Sequence, residues 1–130
     1  MARILILTNT IRGLYNFRYE LLERLISEGF EVYFSVPENK NDTKVKKLLE
    51  LGCNHIETNL DRRSMNPLKD LQLIKQYKEI IKNIKPDVIL SYTIKPNIYG
   101  AHVAKKYKIP LIINVTGLGS GFNNTYTKIL

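Results

Sequence analysis

The chain has 130 residues, 44% hydrophobic and 25% charged, proportions of one ordinary globular domain with a real core, which excludes fibrous and intrinsically disordered architectures. Lys and Arg number 20 against 12 Asp and Glu, and the formal charge of +8 favours an anionic partner: a phosphosugar, a nucleic acid or an acidic membrane surface. No run approaches the roughly 18–20 apolar residues of a membrane-spanning helix, no secretory signal precedes the folded pattern, and a single cysteine excludes an internal disulfide, so the sequence reads as cytoplasmic.

Residues 3–8 are a continuous apolar run of strand length, the character of a strand buried on both faces of a parallel sheet, and predict its central strand. Residues 9–16 read as a loop in which only Gly13 takes positive φ freely; Gly13 relieving a turn and Asn16 capping the next helix is one reading of them, beside the anion site described below. That helix carries Phe17, Leu21, Leu22, Leu25 and Ile26 at helical spacing and closes at Gly29. Residues 31–36 form the second strand, stopped by Pro37. Asn41, Asp42 and Thr43 supply cap chemistry for a helix bearing Val45, Leu48, Leu49 and Leu51 and ended by Gly52, with Cys53 beyond it as a small core residue. The third strand is expected over 55–58. A polar segment then leads into Pro67, suited to the first turn of a long helix with Leu68, Leu71, Ile74, Tyr77, Ile81 and Ile84, which Lys85, Pro86 and Asp87 break. The fourth strand spans 88–92, the fourth helix runs from Pro96 to about Lys106, and the fifth strand covers 109–115 before glycine-rich residues 116–121. Residues 123–130 look like the first turns of a helix cut short, so the chain is expected to be a fragment. Lys44, Lys46 and Lys47, and likewise Lys75, Lys78 and Lys82, are spaced as on solvated helix faces.

Strict alternation of strand and helix predicts an α/β fold, a Rossmann-like three-layer α/β/α domain with a parallel sheet in the order 3-2-1-4-5. Ligands then sit beyond the carboxyl ends of the strands, where three segments gather polar groups. After the first strand, Asn9, Thr10, Arg12, Gly13, Asn16 and Arg18 surround a helix start whose free N–H groups and dipole favour a phosphate or carboxylate. After the fourth, Ser91, Thr93, Lys95 and Asn97 crowd one turn; after the fifth, Thr116 and Gly117 open the glycine-rich loop. Neither the three-glycine dinucleotide fingerprint nor the P-loop spacing is present. His55 and His102 stand apart and read as structural, no catalytic triad or metal-ligand cluster can be assembled, and no cofactor is expected. Nucleic-acid binding rests on charge alone and is not expected.

Ile4 to Asn9, Asn16, Phe17 and Arg18 opening the first helix, Leu25 to Gly29 with Glu31 and Val32, Arg63 with Asn66, Pro67, Leu68, Lys69 and Asp70, Lys85 to Ile89, Ser91 to Asn97, and Val115 to Gly119 form one pattern. That pattern resembles the N-terminal domain of the family 4 retaining glycosyltransferases that build capsule, O-antigen and other surface polysaccharides. The resemblance implies a GT-B architecture of two Rossmann-like domains, the first binding the acceptor and the second the nucleotide sugar, with no metal. Residues 1–130 correspond to the acceptor-side domain alone, inactive without the donor-binding domain that carries the family's paired glutamates. The implied acceptor is a glycan on a polyprenyl diphosphate at the inner membrane face, where basic residues contribute on the order of 1 kcal/mol each near acidic headgroups. Gly13, Asn16, Arg18, Asn66, Ser91, Thr93, Lys95, Thr116 and Gly117 are expected to line the cleft, Arg18 and Lys95 neutralising phosphate. Two departures stand out: one glycine in the loop after the first strand, where many relatives have two, and Thr116 where many have a histidine. The alternatives are a non-catalytic Rossmann-like module for an anionic metabolite or nucleotide, and one half of a split transferase. Exposed cleft surface is expected to favour self-association.

Overall fold

The computed structural model describes residues 2–61 and 65–115. In chain order the elements are β1 (Arg3–Leu7), α1 (Ile11–Ser27), β2 (Glu31–Val36), α2 (Thr43–Leu51), β3 (Asn54–Glu57), α3 (Pro67–Ile84), β4 (Val88–Tyr92), α4 (Ile94–Tyr107) and β5 (Leu111–Asn114). Every pairing is parallel and the order is β3-β2-β1-β4-β5, as the alternation predicts. β1 lies at the centre because its side chains are apolar on both faces. Ile4 and Ile6 join the core under α1 and α2, while Leu5 and Leu7 join the core under α3 and α4.

Local chemistry sets most boundaries. The Asp42 carboxylate accepts from the amides of Lys44 and Val45 to start α2, and Gly52 closes it at φ 116°. Asn66 caps α3 by accepting from Leu68 N at 2.9 Å, with Pro67 in the first turn. Cys53 is buried, as expected.

Helix α1 departs from expectation. It begins at Ile11, so Asn16 is exposed within the second turn instead of capping, and Gly13 is a helical residue instead of a turn. The cause is a cap built from both near and far. Thr10, extended at φ −162° and ψ 140°, accepts from Arg12 N, and the Glu38 carboxylate beyond β2 accepts from Ile11 N at 2.9 Å. The buried stripe is therefore Ile11, Leu14 and Leu22, and Phe17 is left 76% exposed. A similar rotation applies to α3, which buries Leu73, Tyr77, Ile80 and Ile81 and leaves Leu68 and Leu71 outside. At the other ends of the chain's elements the shifts are small: α4 starts two residues before Pro96, β3 one residue early, and β5 is shorter than expected.

Candidate functional site

A cavity of about 470 Å³ opens at the carboxyl ends of β1 and β4. One wall is the first two turns of α1, contributing Gly13, Leu14, Phe17 and Arg18; Tyr92 and Thr93 form the other, with Thr8, Thr10 and Val115 completing the lining. The walls are mostly apolar, hydroxyls come from the threonines and Tyr92, and among the described residues no carboxylate lines the space.

Among the described residues, Arg18 is the one cation lining the cavity. Its guanidinium carbon lies 5.2 Å from the ring centre of Tyr92, a buried residue, and Nη1 donates at 3.4 Å to the Phe17 carbonyl. Among the described residues it forms no ion pair. Burial pushes the Tyr92 phenol up, and Arg18 beside it pulls in the opposite direction. An unmatched guanidinium against an apolar wall, presenting paired N–H donors, suits a phosphate or carboxylate. The helix start expected to hold such an anion already holds one. Glu38 bonds Ile11 N, and its carboxylate also accepts from Thr10 Oγ1 at 3.3 Å, so the dipole end of α1 is satisfied internally.

The turn from β4 into α4 is held from several sides. Ser91 Oγ donates to Asn97 Oδ1 at 2.7 Å, Asn97 Nδ2 to the Asn114 carbonyl at 3.1 Å, and Asn114 Nδ2 to the Ser91 carbonyl at 3.3 Å, so side chains knit the turn to β5. Between them Thr93 adopts φ 73° and ψ 169°, and its side chain makes no cap bond to α4. On the far side of α4, Lys95 Nζ donates to Asp70 Oδ1 at 3.0 Å and to the Asp61 carbonyl at 2.8 Å, and Tyr99 donates to Asp70 Oδ2 at 2.9 Å. Lys95, and Tyr99 after it, hold the Asp70 carboxyl below its ordinary value; the same bond from Asp70, with desolvation, raises the Tyr99 phenol. Asp61, Asp70 and Lys95 line a second cavity of about 100 Å³. No cluster of three or more His, Cys, Asp or Glu suited to a metal occurs among the described residues, and none of their helices is long and apolar enough to cross a membrane.

The glycosyl transferase 4-like family profile matches residues 3–129. The chain belongs to that family. Among curated proteins, this glycosyl transferase 4-like chain is 34% identical over 119 residues to the N,N'-diacetylbacillosaminyl-diphospho-undecaprenol alpha-1,3-N-acetylgalactosaminyltransferase of Campylobacter jejuni, covering 91% of this chain and 31% of that protein. It is 26% identical over 139 residues to the UDP-N-acetylglucosamine--N-acetylmuramyl-(pentapeptide) pyrophosphoryl-undecaprenol N-acetylglucosamine transferase of Buchnera aphidicola, covering 99% and 39%. Among solved structures, a glycosyltransferase from Rickettsia africae matches with a TM-score of 0.66 at 22% identity over 98% of this chain and 34% of that one. MurG of Acinetobacter baumannii matches at 0.66 and 14% over 99% and 39%. At these identities the structural likeness speaks for the fold, that of an N-terminal GT-B-like domain. The chain spans 31% and 39% of the length of the two curated relatives.

Within this glycosyl transferase 4-like domain the expected site residues fall into groups. Gly13, Arg18 and Thr93 meet in the main cavity. Ser91 is buried and bonded behind it through Asn97. Lys95 lines the second cavity, on Asp70, so of the two expected phosphate partners only Arg18 faces the first. Asn66 caps α3, and Asn16 is exposed on α1 outside the cavity lining. Thr116 and Gly117, like Arg63, lie outside the described residues. Sequence reasoning missed Phe17, assigned to the core, as a cavity wall, and missed Glu38 as the cap of α1. For Phe17 the signal was available in the alternative stripe Ile11, Leu14 and Leu22; for Glu38 there was none, because the contact spans 27 residues.

Proposed function

We propose that this chain is the acceptor-side domain of a two-domain, retaining GT-B glycosyltransferase, which moves a sugar from a nucleotide sugar to a glycan carried on a polyprenyl diphosphate. The observation that carries the reading is Arg18, a guanidinium with no carboxylate partner among the described residues, in an apolar cavity at the carboxyl edge of the sheet. A polyprenyl diphosphate has the matching character: anionic phosphates for Arg18 and hydrocarbon beside Phe17, Leu14 and Val115. The names of both curated relatives, a diphospho-undecaprenol and a pyrophosphoryl-undecaprenol transferase, support that acceptor class. The chain's own residues bind and orient the acceptor, and nucleotide-sugar binding is the work of a second domain, so residues 1–130 alone do not transfer sugar. Capsule, O-antigen or related surface polysaccharide is the product class, and no cofactor is used.

The protein acts on the cytoplasmic side as a peripheral membrane partner. Support comes from Leu68, Leu71 and Lys75, which succeed one another at helical spacing as exposed residues of α3 behind exposed Met65, an apolar and basic face suited to an acidic bilayer surface. The exposed cleft surface, with Phe17 and Val115, is the route to self-association when no second domain covers it.

The test is transfer of radiolabelled sugar from a panel of UDP-sugars to membrane lipid extract, comparing this chain with its reading frame continued through the downstream genomic sequence. Transfer by the continued form alone is expected. A continued form inert with every donor, beside a 130-residue chain that binds a small anion tightly, would favour the non-catalytic binding module.

A further inference from the structure

Thr93 occupies a backbone conformation that its sequence should avoid. Three described residues other than glycine have positive φ. Lys85, at φ 53° and ψ 61°, and Lys108, at φ 56° and ψ 44°, are left-handed helix caps in a sterically allowed region. Thr93, at φ 73° and ψ 169°, lies in a region open in practice to glycine alone, and it is β-branched. The other described residues with φ above 70° are both glycines, Gly29 at 92° and Gly52 at 116°. At residue 93 the chain keeps a side chain where the backbone favours none.

The surroundings hold that conformation in place. The Ser91, Asn97 and Asn114 bonds fix the turn on both sides, Asn97 N donates to the Thr93 carbonyl at 3.0 Å, and α4 leans so closely on β1 that a Cβ at Gly100 would lie 3.0 Å from Leu7 Cδ1. The Thr93 side chain is half-buried and lines the main cavity together with Arg18 and Phe17. Its hydroxyl donates to the Tyr92 carbonyl, which commits the hydrogen and leaves oxygen lone pairs as acceptors. A diphosphate offers no donor to such a group; a sugar hydroxyl or an acetamido N–H does.

We infer that Thr93 is a specificity-determining residue that accepts a hydrogen bond from the sugar adjoining the acceptor diphosphate, and that the strained turn is retained to keep its oxygen in the cleft. This rests on the acceptor reading above and assigns separate parts of one ligand: phosphate to Arg18, sugar to Thr93.

The experiment compares the wild-type chain with Thr93→Ser, Thr93→Ala and Thr93→Gly. Each is melted, then titrated calorimetrically with farnesyl diphosphate linked to N-acetylglucosamine and with farnesyl diphosphate alone. At an ordinary position Gly is less stable than Ala; here the Gly variant is expected to melt about 3 °C or more above the Ala variant, because only Gly relieves the turn. Ala and Gly are each expected to bind the sugar-bearing probe at least about tenfold more weakly, Ser to stay within about threefold of wild type, and all four to bind the sugar-free probe alike. A Gly variant that melts below Ala overturns the strain, and equal affinity of Ala, Gly and wild type for the sugar-bearing probe overturns the recognition. A wild-type chain that binds neither probe contradicts the acceptor reading itself and takes this inference with it.

Discussion

Cys53 sits just past the glycine that ends α2, 4% exposed, and burial pushes its thiol up to about 11. Near pH 8 it therefore stays protonated as well as covered. A disulfide-exchange reagent is expected to leave it unlabelled in the native chain and to react at the rate of a free thiol in urea; prompt labelling of the native chain would contradict the assignment. This residue was legible from sequence, because a lone cysteine between a helix-closing glycine and a strand has one ordinary use. Glu38 was not legible. A carboxylate at a loop tip carries no mark of the helix end it will cap, and only folding brings it to Ile11.

The same contrast holds for whole elements. The bounds of α2 and α3 were readable because their caps are local: Asp42 and Gly52 for one, Asn66 with Pro67 and Lys85 before Pro86 for the other. α1 was read as starting too late because polar residues 9–16 resemble a loop, and the cap that settles the matter comes partly from beyond β2. That early start gives Gly13 a different meaning. It is a helical residue without positive φ, and a Cβ built there meets nothing nearer than Thr10 Cγ2 at 3.7 Å. Gly13→Ala is therefore expected to stabilise the chain by about 0.5–1 kcal/mol in urea denaturation, as in any helix interior. Because Gly13 lines the cavity, the added methyl narrows the site, and acceptor affinity is expected to fall in the same variant. A loss of stability instead would show that the backbone at residue 13 needs glycine.

At the scale of the molecule, the strand order and the edge that carries the cavity both followed from sequence, the first from alternation and the second from the reversal of order on either side of β1. What did not follow was the division of the polar residues at that edge. Lys95 follows the β4 turn only one residue after α4 begins, yet the helix turns it toward Asp70 on α3, and the pair ties two neighbouring helices together. This tie has a pH signature. The Asp70 carboxyl is held below its unfolded value, so its contribution to stability is present above about pH 4 and is lost as the pH falls below that through the folded value. Asp70→Asn is expected to lower the melting temperature at pH 7 and to weaken its dependence on pH in the acid range. An unchanged acid profile would show that the pair contributes nothing measurable.

The proposed role of Arg18, as the cation for a polyprenyl diphosphate, is tested by calorimetric titration of wild-type and Arg18→Ala chains with farnesyl diphosphate linked to N-acetylglucosamine. Arg18 is partly exposed and its contact with the Tyr92 ring is worth about 1 kcal/mol or less, so the variant is expected to stay folded with little change in melting temperature. Its affinity is expected to fall at least about tenfold, and the dependence of binding on salt to weaken with it. Equal affinity of the two chains at every salt concentration would contradict that role and leave the cavity an unassigned apolar cleft.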